Sequence, residues 1–444
     1  MKSFARTLRI SSLAVLLWSS SSVAANSQNL SGDGAGLIDL YELMLEFDPE
    51  LKLAESRERR AENSVEIYES QLRPQISFNS QLNRTQYEND LVDYNYNGEK
   101  NSISLNQVLF DRKIISSIDQ AEFESEFYSA QVQVSQQERL ALFVERYLDI
   151  VKTQHDIYTL KEELALLEGI QAQVNSLFQK KLVSVVDKAN IESRVARASS
   201  NLAASEAKLE IAEESLFESV GEAAFEPIAL IDLLDFDPEL ETKGFEYWRD
   251  LALATSPVLK AQQLRIKRAE AALAQAESEH YPRVGLQLTH QNTNIGSEFA
   301  QSNSNSATVL SLNLSVPIYL GGSTAAKTRV QESELSIAIE EERYSRMQLL
   351  REIRVALLEI KSAQSEITAS ISSEKTANTA RLAAEKSFQF GVVDTGTVLE
   401  RIAEQYSAER NRINLAYKLM LSYLKLMKGV AGIDRDLIVE FSQM

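Results

Sequence analysis

The chain has 444 residues, with 64 acidic against 46 basic side chains, no cysteine, and only 7 prolines and 15 glycines. The acidic balance argues against nucleic acid as a partner, and without cysteine no disulfide can stabilise the fold. Alanine, glutamate, glutamine, serine and leucine dominate, which points to a mostly helical, elongated protein.

Lys2, Arg6 and Arg9 precede an apolar run from Ile10 to Trp18, and small residues lead to Val23-Ala24-Ala25. A basic leader, a short apolar run and a small-residue cleavage site make residues 1–25 a secretory signal peptide, cut after Ala25. No later segment reaches the ~18 consecutive apolar residues of a spanning helix. The one remaining route into a membrane is a closed β-barrel, since open sheet edges are not tolerated in lipid.

The mature sequence then states one plan twice. Pro49 in Asp48-Pro49-Glu50-Leu51 has a counterpart in Pro257, and Pro74 in Leu72-Arg73-Pro74-Gln75 has one in Pro282. Gln107 to Asp111 matches Val316 to Leu320, and Leu177 to Leu182 matches Ser387 to Val392. The offsets are all about 210 residues and the order is the same, so the chain is an internal duplication. The first copy spans 26–220 and the second 245–430, with an acidic connector at 221–244 and a C-terminal tail at 431–444.

Each copy reads as a helix (roughly Leu37 to Leu72, and Phe245 to His280) that stops before a proline. A strand follows, Gln75 to Arg84 or Arg283 to Thr289, then a polar loop over 86–100 or 292–306. The return strand runs from Asn101 to Phe110, or from Ala307 to Leu320, which gives β-hairpins over about 75–110 and 283–320. Strict alternation marks one apolar and one polar face on each strand, clearest where Leu310, Leu312, Leu314 and Val316 alternate with Ser311, Asn313 and Ser315. In a water-soluble sandwich the apolar face would meet a core; in an outer-membrane barrel it would meet lipid, with the polar face lining a lumen.

A very long helix follows each hairpin. Ile157, Leu160, Leu164, Leu167, Gln171, Val174 and Phe178 step by three and four, as do Ile353, Leu357, Ile360, Gln364, Ile367 and Ile371. That is a coiled-coil seam. Short irregular tips, about 181–187 and 391–397, lead into return helices that run to about Val220 and Val430. A helical hairpin about 100 Å long cannot bury all its apolar surface on itself, so the chain must associate with further copies.

At this point the residues carry a resemblance. Val316-Pro317-Ile318-Tyr319-Leu320-Gly321-Gly322, Asp48-Pro49-Glu50-Leu51, Leu72-Arg73-Pro74-Gln75 and the tip from Phe388 to Glu400 resemble the TolC family of outer-membrane efflux and type I secretion channels. The resemblance covers about Leu37 to Gly429. It implies a mainly α protein with a small β part, in which long helical hairpins form a periplasmic tunnel. Four strands from each protomer of a homotrimer would make one twelve-stranded barrel in the outer-membrane lipid of a Gram-negative bacterium. It also implies a passive exit duct opened by a periplasmic adaptor (membrane-fusion) protein and an inner-membrane transporter. A periplasmic adaptor or a structural coiled-coil protein is the competing reading. The first would carry one hairpin flanked by β-rich domains, and the second leaves the four alternating strands unexplained.

By the same resemblance, carboxylates at the second tip narrow the periplasmic entrance. Glu400 falls at one such position and Thr397 at the other, where an acid is usual, while Asp394 stands three residues earlier. Asp187 falls where an aspartate helps hold the closed state, but its arginine partner is replaced by Val393. On the residues alone, Asp394 and Asp187 serve equally well as helix caps. Gly391 and Gly396 would allow the second tip to turn tightly, and Gly321 and Gly322 the strand-to-helix bend. His155, His280 and His290 are scattered with no cysteine nearby, which speaks against a metal site. No phosphate loop or nucleophile elbow is present, so no cofactor and no enzymatic activity are expected.

Overall fold

The computed structural model describes residues 37–89, 92–221, 243–295 and 304–442. The expected signal peptide and most of the expected connector lie outside the described residues. Leu37, Leu40 and Met44, three and four apart, are buried along α1 (Leu37–Phe47). The expected single helix over 37–72 is divided at Asp48. Its carboxylate accepts from the Glu50 and Leu51 amides, and Pro49 occupies the first position of α2 (Pro49–Ser70), where no amide partner is needed.

Four antiparallel strands, β1 (Gln75–Asn89), β2 (Val92–Asp111), β3 (Arg283–Ile295) and β4 (Ser304–Ser315), pair in the order of the chain. Directly paired residues share a face, so Ile76, Leu105, Leu288 and Leu310 make one apolar row across all four strands. From β1 to β2 the apolar run shifts toward the helical end, while β3 and β4 carry it at one level, Leu288, Leu286 and Val284 facing Leu310, Leu312 and Leu314. The run spans Ile76 to Leu82 on β1, whereas on β2 it spans Ile103 to Leu109, which pair with Phe78 and the residues before it. That shift is what strand tilt in a closed barrel requires. Leu109 bulges out of the ladder between Val108 and Phe110.

Two strand limits differ from the sequence expectation. Where polar loops are predicted over 86–100 and 292–306, the ladders continue: Gln86 pairs with Asn95 and Asn292 with Ser306. Backbone groups must pair whatever the side chains are, so a strand that is polar on both faces looks like a loop in sequence. At the other end β4 stops at Ser315 rather than Leu320, because Pro317 has no N–H to donate.

The helices form one layer below the sheet. In its upper part α2 packs on α3 (Arg112–Gln179), α3 on α6 (Pro257–Glu277, extended by a 3-10 turn to His280), and α6 on α7 (Ser323–Gln389). In its lower part α3 packs on α4 (Val185–Val220) and on α8 (Thr395–Gly429), and α8 on α7. The short α5 (Phe245–Thr255) leans on α7. The expected C-terminal tail contains a packed helix, α9 (Arg435–Ser442), whose Leu437, Ile438 and Phe441 enter the main core. Among the described residues three apolar clusters result: a large one around Phe143, Val144, Ile353 and Met420, a smaller one near the tips around Val174, Ile191, Phe388 and Ile402, and a small one of Ala130, Ala261 and Leu264 between α3 and α6. Between the first two, Arg410 of α8 ties the second hairpin to Glu163 of α3 at 2.7 Å, and Arg412 pairs with Glu374 within the second hairpin.

Candidate functional site

Two regions carry the features expected of a conduit: the helical tips and the polar face of the sheet. At the first tip α3 ends with Lys181 in the left-handed region (φ 59°). The Leu182 amide reaches back to the Leu177 carbonyl and the Lys181 amide to that of Phe178. At the second tip Gly391 (φ 70°) takes that conformation, with the same pair of bonds from Val392 to Ser387 and from Gly391 to Phe388. Both helices therefore end in a Schellman motif. Gly396 plays a different part from the one expected of it. It is absent from the positive-φ glycines and lies in the first turn of α8. Gly321 and Gly322 do turn left-handed (φ 63° and 81°) where β4 gives way to α7.

The return helices start with the same chemistry in opposite order. Ser184 caps α4: its hydroxyl accepts from the Asp187 amide, and the Asp187 carboxylate accepts from the Ser184 amide, a reciprocal capping box. In the second copy Asp394 is the cap and accepts from the Thr397 amide at 2.7 Å. That hydrogen bond holds the Asp394 carboxyl below its ordinary range. Asp187 and Asp394 are thus both engaged by their own helices. Val393, where the resemblance implies an arginine, packs against the lower core. Glu400 faces away from the buried Val398, Leu399 and Ile402. Its neighbour Arg401 sits 4.0 Å away but binds Glu404 more closely, so this face keeps a net negative charge. Around these acids Leu182, Val185, Val186, Phe390 and Val392 are all exposed.

On the polar face of the sheet, Ser77, Ser104, Thr289 and Val309 form one row, and Gln75, Asn106, Gln287 and Ser311 the next. Lys100 pairs in register with Gln81 and Thr293, near the middle of the β1–β2 ladder. At the helical end Arg283 and Asp111 lie within 3.7 Å of each other. There, too, Glu279 accepts from Lys113 at 3.1 Å and from Lys327 at 2.8 Å, and these bonds, the one to Lys327 foremost, depress its carboxyl pKa. This carboxylate ties the starts of both long helices to the entry of β3. Neither it nor Lys100 stands out in sequence, because each acquires its role only through the fold. No group of residues able to hold a metal ion occurs among the described residues.

The same family model, that of outer membrane efflux proteins, matches residues 40–222 and again 248–432, one match in each copy of the repeat. Outer membrane protein TolC of Vibrio cholerae is 22% identical over 412 residues, covering 91% of this chain and 92% of that protein. Alkaline protease secretion protein AprF of Pseudomonas aeruginosa is 23% identical over 406 residues, covering 88% and 83%. Among solved structures, the outer-membrane channel OprN superposes with a TM-score of 0.74 at 18% identity, over 89% of this chain and 90% of that one. The open-state MtrE outer membrane channel of Neisseria gonorrhoeae gives a TM-score of 0.78 at 16% identity, over 90% of each chain.

Proposed function

Since this chain belongs to the outer membrane efflux protein family, we infer that three copies close head to tail into one exit duct. The family places the protein in the outer membrane of a Gram-negative bacterium as a passive export channel and not an enzyme, a component of efflux and secretion systems. The observation that supports closure is a coincidence of open ends. β1 and β4 are the edges of the sheet, and α2 and α7, the helices joined directly to those strands, are the ends of the upper helical layer. One copy's β4–α7 edge meets the next copy's α2–β1 edge.

The free surfaces fit such a seam. Val330, Ile337 and Tyr344 on α7 lie seven residues apart and are exposed in the single chain, as are Leu53 and Ile67 on α2. Repeats of seven are what a helix offers a parallel or antiparallel partner. Unpaired strand edges would not persist in lipid, and twelve strands close without any.

The far end of the duct is the pair of tips. Glu400, repeated three times around the axis, would narrow and charge the entrance, with Asp187 and Asp394 shaping it as caps rather than as a lock. The exposed Leu182, Val185, Val186, Phe390 and Val392 supply an apolar surface on which a periplasmic adaptor can dock, and through it an inner-membrane transporter. AprF and Proteases secretion protein PrtF of Dickeya chrysanthemi are named for protease secretion, and we extend protein export to this chain. Mass measurement of the detergent-purified protein tests the closure. Three copies per particle are expected for the wild type, with loss of the trimer when Val330, Ile337 and Tyr344 are all replaced by lysine. A monodisperse monomer that needs no detergent would contradict it.

A further inference from the structure

The polar face of the sheet is nearly free of charge. One residue in four of the chain is charged, yet among the described residues of that face Lys100 is the one acidic or basic side chain without an ionic partner. Arg283 and Asp111, at its helical end, neutralise each other. A face built from serine, threonine, asparagine and glutamine in a chain this rich in glutamate is therefore not an accident of composition.

Resting on the duct reading above, we propose that the barrel lumen is a charge-neutral sleeve for extended polypeptide, in which a ring of Lys100 side chains is the sole reader of charge. Fixed charges in a narrow pore with low-dielectric walls hold counter-charges and repel like ones. A charged ring would therefore trap a passing polyion at each turn of the sleeve. Hydroxyl and amide side chains avoid this, because they exchange a hydrogen bond to water for one to a peptide group at little net gain. Away from Lys100, cargo of either sign slides through without being retained. Lys100 lies at the outer margin of the apolar band, level with Gln81 and Thr293, and the β1–β2 ladder continues beyond it to Asn89 and Val92. Three copies there give a cationic collar, which delays acidic segments as they leave.

The test uses the full-length protein in a planar bilayer, with oligo-lysine and oligo-glutamate peptides of equal length added at the barrel mouth. In the wild type, oligo-glutamate should block the current with a dwell time roughly tenfold longer than oligo-lysine, the factor that ~1.4 kcal/mol of attraction supplies. Lys100→Gln, compared in a Glu400→Gln background so that the tip acids do not hold oligo-lysine, should make the two dwell times equal. Adding Ser104→Asp to Lys100→Gln should reverse the preference, which also reports that this row lines the lumen. Equal dwell times in the wild type, or a sign preference that survives Lys100→Gln in that background, would overturn the sleeve while leaving the duct intact. A protein that forms no pore at all would overturn the duct, and the sleeve with it.

Discussion

The two copies of the repeat begin their second helix differently. In the first, Asp48 is fully buried, caps α2 and accepts from Arg139 Nε at 2.7 Å. In the second, Ser256 makes no side-chain cap bond, and Leu349 stands where Arg139 stands in the first copy. The space left is an open groove of about 500 Å³ lined by Ser256, Pro257, Leu349, Val355 and Gly429. The tips differ in the same way, with a reciprocal box at Ser184 and Asp187 in the first copy against a single cap bond from Asp394 in the second. One architecture therefore has a firmly pinned half and a less tightly held half. Duplication preserved the backbone plan, and the polar contacts diverged on it.

The largest expected effect comes from breaking the buried pair. Asp48→Ala removes the α2 cap and the buried carboxylate opposite Arg139, leaving that guanidinium only the exposed Glu50 at 3.3 Å, and should cost about 3 kcal/mol, read as a lower denaturation midpoint of the purified protein. Ser256→Ala, at the matching position, should stay within about 1 kcal/mol because no cap bond is lost. Equal losses at both sites would remove the asymmetry.

The helix ends give the next effects. Gly391→Ala forces a side chain into the left-handed region and should cost about 1–2 kcal/mol. Lys181→Gly relieves that same conformation in the first copy and should stabilise it by up to about 1 kcal/mol. Ser184→Ala removes one member of the capping box and should cost about 1 kcal/mol. Hydrogen exchange at the tips reads all three.

The smallest effect is a pH dependence confined to the second tip. The Asp394 carboxyl is held below its ordinary range by the Thr397 amide. Its contribution is complete above the ordinary aspartate pKa and fades as pH falls through the depressed folded value. Protection of the Thr397 amide should therefore weaken only in strong acid, and Asp394→Asn should flatten that dependence. A change centred near neutral pH would assign the titration to another group.

Much of this was legible in the sequence because it is periodic. Alternation from Leu310 to Ser315 fixes the faces of β4, and the three-and-four steps from Ile157 to Phe178 fix the seam of α3. The limits were less legible. Pro317 ends a strand whose apolar alternation continues through Ile318, and the polar ladders around Gln86 and Asn292 have no apolar face to announce them. Contacts across long separations left no local sign, as with Asp48 and Arg139 or Glu279 and Lys327. Nor did the left-handed Lys181, since lysine is not the residue that such a turn favours. Of the candidate acids, the swap between Ser184/Asp187 and Asp394/Thr397 explains why two are occupied as caps and only Glu400 is left facing outward.

The most direct test of the account is single-channel conductance of the full-length protein in a planar bilayer, wild type beside Glu400→Gln. A small, cation-selective conductance is expected for the wild type if, as proposed, a ring of Glu400 carboxylates narrows the duct at the tips. The variant should conduct more and lose selectivity. A pore that ignores the substitution would move the constriction away from Glu400. The absence of any pore, from a protein that stays soluble without detergent, would contradict the outer-membrane duct itself.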